Sequence, residues 1–226
     1  MTPVAKLLNA TAAAVFLAAS AAVTAADAKL PPVDEAAGDV SWVRFKNRLL
    51  ESIVRRDGKF VTGIVAPRIR NFTDKDGITE FRKLWEPQSA SSPLWVELPK
   101  ILFLGGAFVK HEKGVIEFCA PYVHFKWPEQ APADVDGAIT ARETLLKAKP
   151  SAASATVLAL SYDLVKVLDW EVADESGDGK QHWVKIQTTA GPGFVPEEHI
   201  RSPLEYRACF AKSGAAWRLT ALEVGE

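Results

Sequence analysis

Two cysteines, four histidines and seven tryptophans are the side chains of this 226-residue sequence best equipped for chemistry, and their spacing decides which chemistry is open to them. His111, His124, His182 and His199 stand at no metal-ligand spacing. His111-Glu112 begins like the zinc motif H-E-x-x-H, but the fifth position is Val115, so the second ligand is missing. With two cysteines and no paired histidines, no built-in metal site and no cofactor are expected. Asp174-Glu-Ser-Gly-Asp178-Gly179 opens like a calcium loop, yet the twelfth position, where a bidentate Glu closes the site, is Lys185. An Asp-Gly pair between apolar runs reads instead as the tip of a hairpin over Asp174–Lys180. There is no G-x-S-x-G elbow, and Gly177-Asp-Gly179-Lys180 lacks the first glycine and the trailing hydroxyl of a phosphate loop. Glu197-Glu198 and Asp174-Glu175 are neighbours in loops, where solvated charge is the ordinary state. No residue is assigned a catalytic role.

Compartment bears on the cysteines. Lys6, the apolar run Leu7–Val23 and the small residues Thr24–Ala28 have the order of an export signal over 1–28, with cleavage after Ala25, Ala26 or Ala28. The run falls short of the roughly 20 apolar residues a span needs, so no stable membrane insertion is expected. The expected location is the periplasm or another exported compartment, where disulfides persist. Cys119 and Cys209 then have two readings: one bond tying distant segments together, or two separate buried thiols. A formal net charge of −1, with the signs mixed along the chain, argues against nucleic acid and against a charged membrane surface.

These residues need elements to hold them. Lys29–Gly38 reads as a flexible entry. An α+β domain is expected over 39–128. Its first helix is capped by Asp39, carries the stripe Trp42, Phe45, Leu49, Ile53 and Val54, and ends at Asp57-Gly58. A short helix or turn over Phe60–Val65, a strand at Pro67–Phe72 and a helix through Ile78, Phe81, Leu84 and Trp85 follow. Another helix runs from Pro93 through Leu98 and Leu102, with a kink at Pro99. Ala107–Lys110 and Val115–Trp127 read as strands, with Pro121 marking a bulge or an edge. Trp42, Trp85 and Trp95 lie on helical stripes and read as core. Residues 129–136 have linker composition. Residues 204–226 form a hairpin, which must pack on something and can complete the first domain's short sheet. Helices followed by a curved sheet make the first domain weakly similar to the nuclear-transport-factor-2-like cone.

The segment 137–203 holds short alternating runs cut by turns: Thr156–Ser161, Val165–Leu168, Trp183–Gln187, Gly193-Phe-Val195 and His199-Ile-Arg-Ser-Pro203. It resembles a bacterial SH3-like (SH3b) domain over about a third of the chain. The resemblance implies a small all-β barrel with a shallow groove, and Tyr162, Trp170, His182 and Trp183 are its candidate ligand-binding residues. It also implies non-catalytic recognition of a cell-wall polymer or an envelope protein. The sequence departs from the family at Lys147-Ala-Lys149-Pro150 and in the long hairpin Asp174–Lys180, both near the expected groove. The alternative function is an enzyme or small-ligand pocket in the first domain, with His124 and Glu117 as solvent-facing strand residues to inspect. A scaffold role would require one large apolar patch instead.

Overall fold

A computed structural model describes residues 28–111, 114–177 and 181–225. Residues 1–27, which hold all but the last position of the expected export signal, Glu112-Lys113, Asp178-Gly179-Lys180 of the expected hairpin tip, and Glu226 lie outside them. Among the described residues the chain is mixed α+β, with five helices and two sheets. None of the described helices is long and apolar enough to cross a membrane. In chain order the elements are α1 (Val40–Val54), α2 (Gly58–Ile64), β1 (Val65–Asn71), α3 (Ile78–Trp85), α4 (Leu94–Phe103), β2 (Ala107–Lys110), β3 (Ile116–Ala120) and α5 (Tyr122–Phe125). Then come β4 (Asp136–Ile139), β5 (Thr144–Lys147), β6 (Thr156–Leu160), β7 (Leu164–Ala173), β8 (His182–Thr188), β9 (Gly191–Pro196), β10 (Ile200–Arg201), β11 (Arg207–Ser213) and β12 (Ala216–Glu223).

The first sheet runs β1-β12-β11-β3-β2, with β1 parallel to β12 and the other pairs antiparallel. The terminal hairpin β11–β12 thus sits in its middle. Asp39 caps α1 by accepting from the backbone N–H groups of Ser41 and Trp42, which sets the helix phase that drives Trp42 inward. Trp42 stacks on Phe118 at 4.3 Å and meets Phe210 and Trp217 at 5.0 Å each. These rings fill the space between α1 and the sheet. Val54 departs from the expected stripe: it is 84% exposed on the last turn, one step round from buried Ile53.

Several local expectations are corrected. Asp57-Gly58 does not end α1 but starts α2, because the Asp57 carboxylate accepts from Phe60 N–H and acts as an N-cap. Gly58 is required there by closeness, since a Cβ would lie 1.9 Å from the Pro87 carbonyl oxygen. The single strand expected over 115–127 stops at Ala120. Pro121 has no N–H to give the ladder, and the chain turns into α5, taking His124 with it. The entry segment is pinned, not loose. Leu164 N–H donates to the Ala28 carbonyl, Leu30 N–H to Tyr162, and Lys29 pairs with Asp163 at 2.8 Å. Further on, Glu35 N–H donates to Gly106 and Phe108 N–H to the Glu35 carboxylate. Leu30 is buried with Tyr122, Val123, Ala138 and Leu164, so this strap joins both sheets.

The second sheet is antiparallel, in the order β10-β4-β7-β8-β9-β5-β6. Its interior is Ile139, Leu146, Val165, Val184, Ile186 and Val195. Connection length fixes its shape. Residues 161–163 join β6 to β7, four places apart in the sheet. On a flat sheet that is about 19 Å, whereas a three-residue link spans at most about 15 Å. The link 140–143 from β4 to β5 crosses the same four places. The sheet must therefore curl until its ends approach. It does not form the expected closed barrel: no ladder among the described residues joins β10 to β6. Strand β10 is only two residues long, and Pro203 leads the chain away to β11. One side-chain contact reaches across the gap from β5 to the turn before β10, with Thr144 Oγ1 3.4 Å from His199 Nδ1.

The chain leaves the first sheet at β3 and re-enters it at β11, the neighbouring strand, so the second sheet lies wholly between them. Cys119 and Cys209 face each other across that pair and are disulfide-bonded. The bond packs against Ala221, Val109 and Phe125.

Candidate functional site

Strand β7 outruns its neighbour. Its pairing with β4 ends at Lys166, one further bond runs from Val167 N–H to the Val135 carbonyl, and beyond that its ladder partner is β8, with two register shifts. Trp170 stands on this overhanging half, and its indole folds back over β4 toward Ile200. Gly137 makes the room. A Cβ there would meet Trp170 Cη2 at 3.1 Å and the Ile200 side chain at 3.0 Å. Gly137→Ala should therefore displace the indole while leaving the strand paired. The expected result is a shifted Trp170 indole N–H resonance with a stability loss of about 1–2 kcal/mol from overpacking. An unmoved resonance would show that the ring is not seated there.

Trp170 is half-buried and lies where two open clefts meet. One, of about 500 Å³, is bordered by Glu171, Asp174, Gln181, His182 and Glu197. The other, of about 370 Å³, lies between the second sheet and α4, and its walls include Phe103, Thr140, Arg201 and Glu205. Glu171, His182 and Glu197 are exposed, and among the described residues their side chains hold no hydrogen bond or ion pair. Asp174 differs. Its carboxylate accepts from the Ser176 hydroxyl and from Trp183 Nε1 at 3.0 Å, which together hold it below the usual carboxylate range.

The four residues singled out from the sequence are divided. Trp170 and His182 share a cleft. Trp183 does not join them: it is 2% exposed, and its indole anchors the base of the hairpin through Asp174. Alternation along β8 forces this, since consecutive residues face opposite sides of a sheet. Tyr162 borders neither cleft. It has a left-handed φ of 62° on the β6–β7 link, its hydroxyl accepts from Arg142 Nε at 3.1 Å, and its carbonyl receives the strap.

The pair inspected for a pocket in the first domain is also corrected, because neither residue is a solvent-facing strand residue. Glu117 is 4% exposed on the outer face of the first sheet. It accepts from the Thr220 hydroxyl and pairs with His111 at 2.8 Å and Arg70 at 3.4 Å. His124, on α5, is half-buried with Nδ1 2.9 Å from the Pro203 carbonyl oxygen. Desolvation holds its pKa below the ordinary imidazole range, with the Pro203 bond opposing. Glu117, Cys119 and Cys209 are the one grouping of three possible metal ligands among the described residues, and both sulfurs are consumed in the disulfide.

Two residues of the second cleft, Phe103 and Arg201, were not among the candidates named from the sequence. Phe103, on the last turn of α4, is 74% exposed. Arg201 is the reverse, a guanidinium whose side chain is only 6% exposed. Its Nη1 pairs with Glu205 at 3.1 Å and its Nη2 donates to the Tyr206 carbonyl at 2.6 Å, while Nε–H has no partner. Burial weakens the charged form of Arg201, and Glu205 and Glu97 support it. Comparison with protein-family models, with curated proteins and with solved structures finds no match to this chain.

Proposed function

We propose that this is an exported, non-catalytic binding protein that recognises a cell-envelope component, the wall polymer first, through the Trp170 face of its curled second sheet. The sheet is read as an SH3-like barrel left open along the seam between β10 and β6. The observation that carries the reading is the state of Trp170. A half-exposed indole stands between two clefts, beside Glu171, His182 and Glu197, whose side chains hold no hydrogen bond or ion pair among the described residues. Inside a core such groups would be paired. Around an aromatic face they are arranged to meet a ligand that is apolar on one side and polar at its edge. In the first domain Trp42, Phe118, Phe210 and Trp217 fill the space between α1 and the sheet, and the hollows bordered by α1 open at the surface.

Co-sedimentation of the purified protein with peptidoglycan sacculi across a salt series tests the reading. Stacking on a neutral polymer should resist salt, since little of the attraction is Coulombic. Trp170→Ala should cost about tenfold in affinity, about 1.4 kcal/mol, with its circular dichroism spectrum intact. Absence of co-sedimentation at every salt concentration would sink the wall-binding reading and leave an envelope protein as the partner to seek. Trp183→Ala is the wrong probe, because it would remove a buried ring.

A further inference from the structure

Resting on that reading, we infer that the ligand is a neutral glycan strand and that α4 supplies half of its site. The pyranose rings would lie in the cleft between Phe103 of the first domain and Trp170 of the second sheet.

The cleft chooses its ligand by chemistry. Both aromatic residues border it, and no ring contact joins them among the described residues, so the space between them is open. Its volume of about 370 Å³ lies within the range of roughly 300–1,000 Å³ usual for small-ligand sites. Arg201 forms part of the wall, but its Nε–H is sealed from solvent, so the donors that face the space are Lys100 and the Thr140 hydroxyl. Glu197, Glu198 and Glu205 border the same space and can only accept hydrogen bonds when ionised.

An anionic ligand such as a phosphate or a nucleic acid would face three carboxylates, and the Arg201 guanidinium is already engaged by Glu205 and the Tyr206 carbonyl. A cationic peptide side chain would suit the carboxylates but meet Lys100 and Arg201 in the same wall. A sugar hydroxyl suits the mixed lining, because it accepts from Lys100 or Thr140 and donates to a carboxylate, while the C–H face of the ring stacks on an aromatic surface. Phe103 gains a reason for its exposure: a large apolar side chain left open beside a polar cleft marks a contact surface.

The probe is chitotetraose, a soluble neutral oligosaccharide, titrated into the purified protein and followed by the Trp170 indole N–H resonance, which Trp170→Phe assigns. Saturable shifts are expected. Phe103→Ala should weaken binding about tenfold, the order of one lost stacking surface, and Phe103→Trp should restore it. Because Phe103 is exposed, neither change threatens the fold. A Trp170 resonance that ignores the sugar, or Phe103→Ala binding as tightly as wild type, overturns the proposal. The sacculus assay separates this failure from failure of the broader reading. Sedimentation that needs Trp170 but ignores Phe103, or that yields to a wall stem peptide and not to chitotetraose, leaves a wall-binding protein with a different site. Chitotetraose binding without sedimentation keeps the glycan site and removes the wall as its source.

Discussion

With Cys119 and Cys209 both changed to alanine, the free energy of unfolding should fall by about 4 kcal/mol, read as a lower urea midpoint. The estimate follows from loop closure. The bond joins residues 90 apart in sequence, and cross-linking so long a segment removes much of the freedom of the unfolded chain. The cost arises in the unfolded state, so the native spectrum of the double variant should be unchanged. Both sulfurs sit between neighbouring strands that are paired independently of them. The long stretch enclosed by the bond holds its own hydrophobic interior, so its reduced ensemble gains freedom only when that interior also opens. A double variant with the wild-type midpoint would show that the bond adds nothing to the folded protein.

Trp42→Ala is the second large effect, with an expected loss of about 3–5 kcal/mol. Trp42 is fully buried, and Phe45, Phe118, Phe210 and Trp217 surround its ring. Phe118 lies on β3, and Phe210 and Trp217 lie on the two strands of the terminal hairpin, so the indole is where α1, β3 and that hairpin meet. Removing it leaves a cavity that those elements cannot fill without moving apart. Trp42→Phe should cost much less, because the new ring keeps most of the contacts and discards the buried indole N–H, which has no partner. Chemical denaturation of the two variants separates the cases. A loss below about 1 kcal/mol for alanine would place Trp42 outside the main core.

How far the sequence could be read depends on the range of each interaction. The cap at Asp39 and the stripe through Trp42, Leu49 and Ile53 are local, and α1 was legible from them. The same local logic misjudged Val54, because a stripe one residue too wide includes a neighbour about 100° round the helix. Asp57-Gly58 carries a turn signal, but whether it ends one helix or opens the next depends on Pro87, which is distant in sequence. His182 and Trp183 could not both face one groove, and strand alternation alone was enough to say so. Which of them faced inward was settled by Asp174 across the hairpin.

The second cleft was out of reach for a different reason. Phe103 follows directly on the core stripe of α4, whose last member, Leu102, is fully buried. The opposite spacing Val96, Lys100, Phe103 was the available signal, three exposed residues on one helical face. Nothing local marks Arg201 as buried. Its burial follows from β10 crossing beside β4 just before the chain returns to the first sheet.

That return has a mechanical meaning. Pulled from its two ends, the protein would first peel the strap at residues 28–30 from β7 and then carry the load through its first sheet and across the Cys119–Cys209 bond, bypassing the stretch in between. The bypassed length is large. Ninety residues of sequence separation correspond to about 300 Å of extended chain at about 3.4 Å per residue, none of which could pay out while the bond holds. The lobe that carries Trp170 would keep its shape under tension that tears the rest of the molecule open, and a thiol reductant would be the switch that exposes it to force.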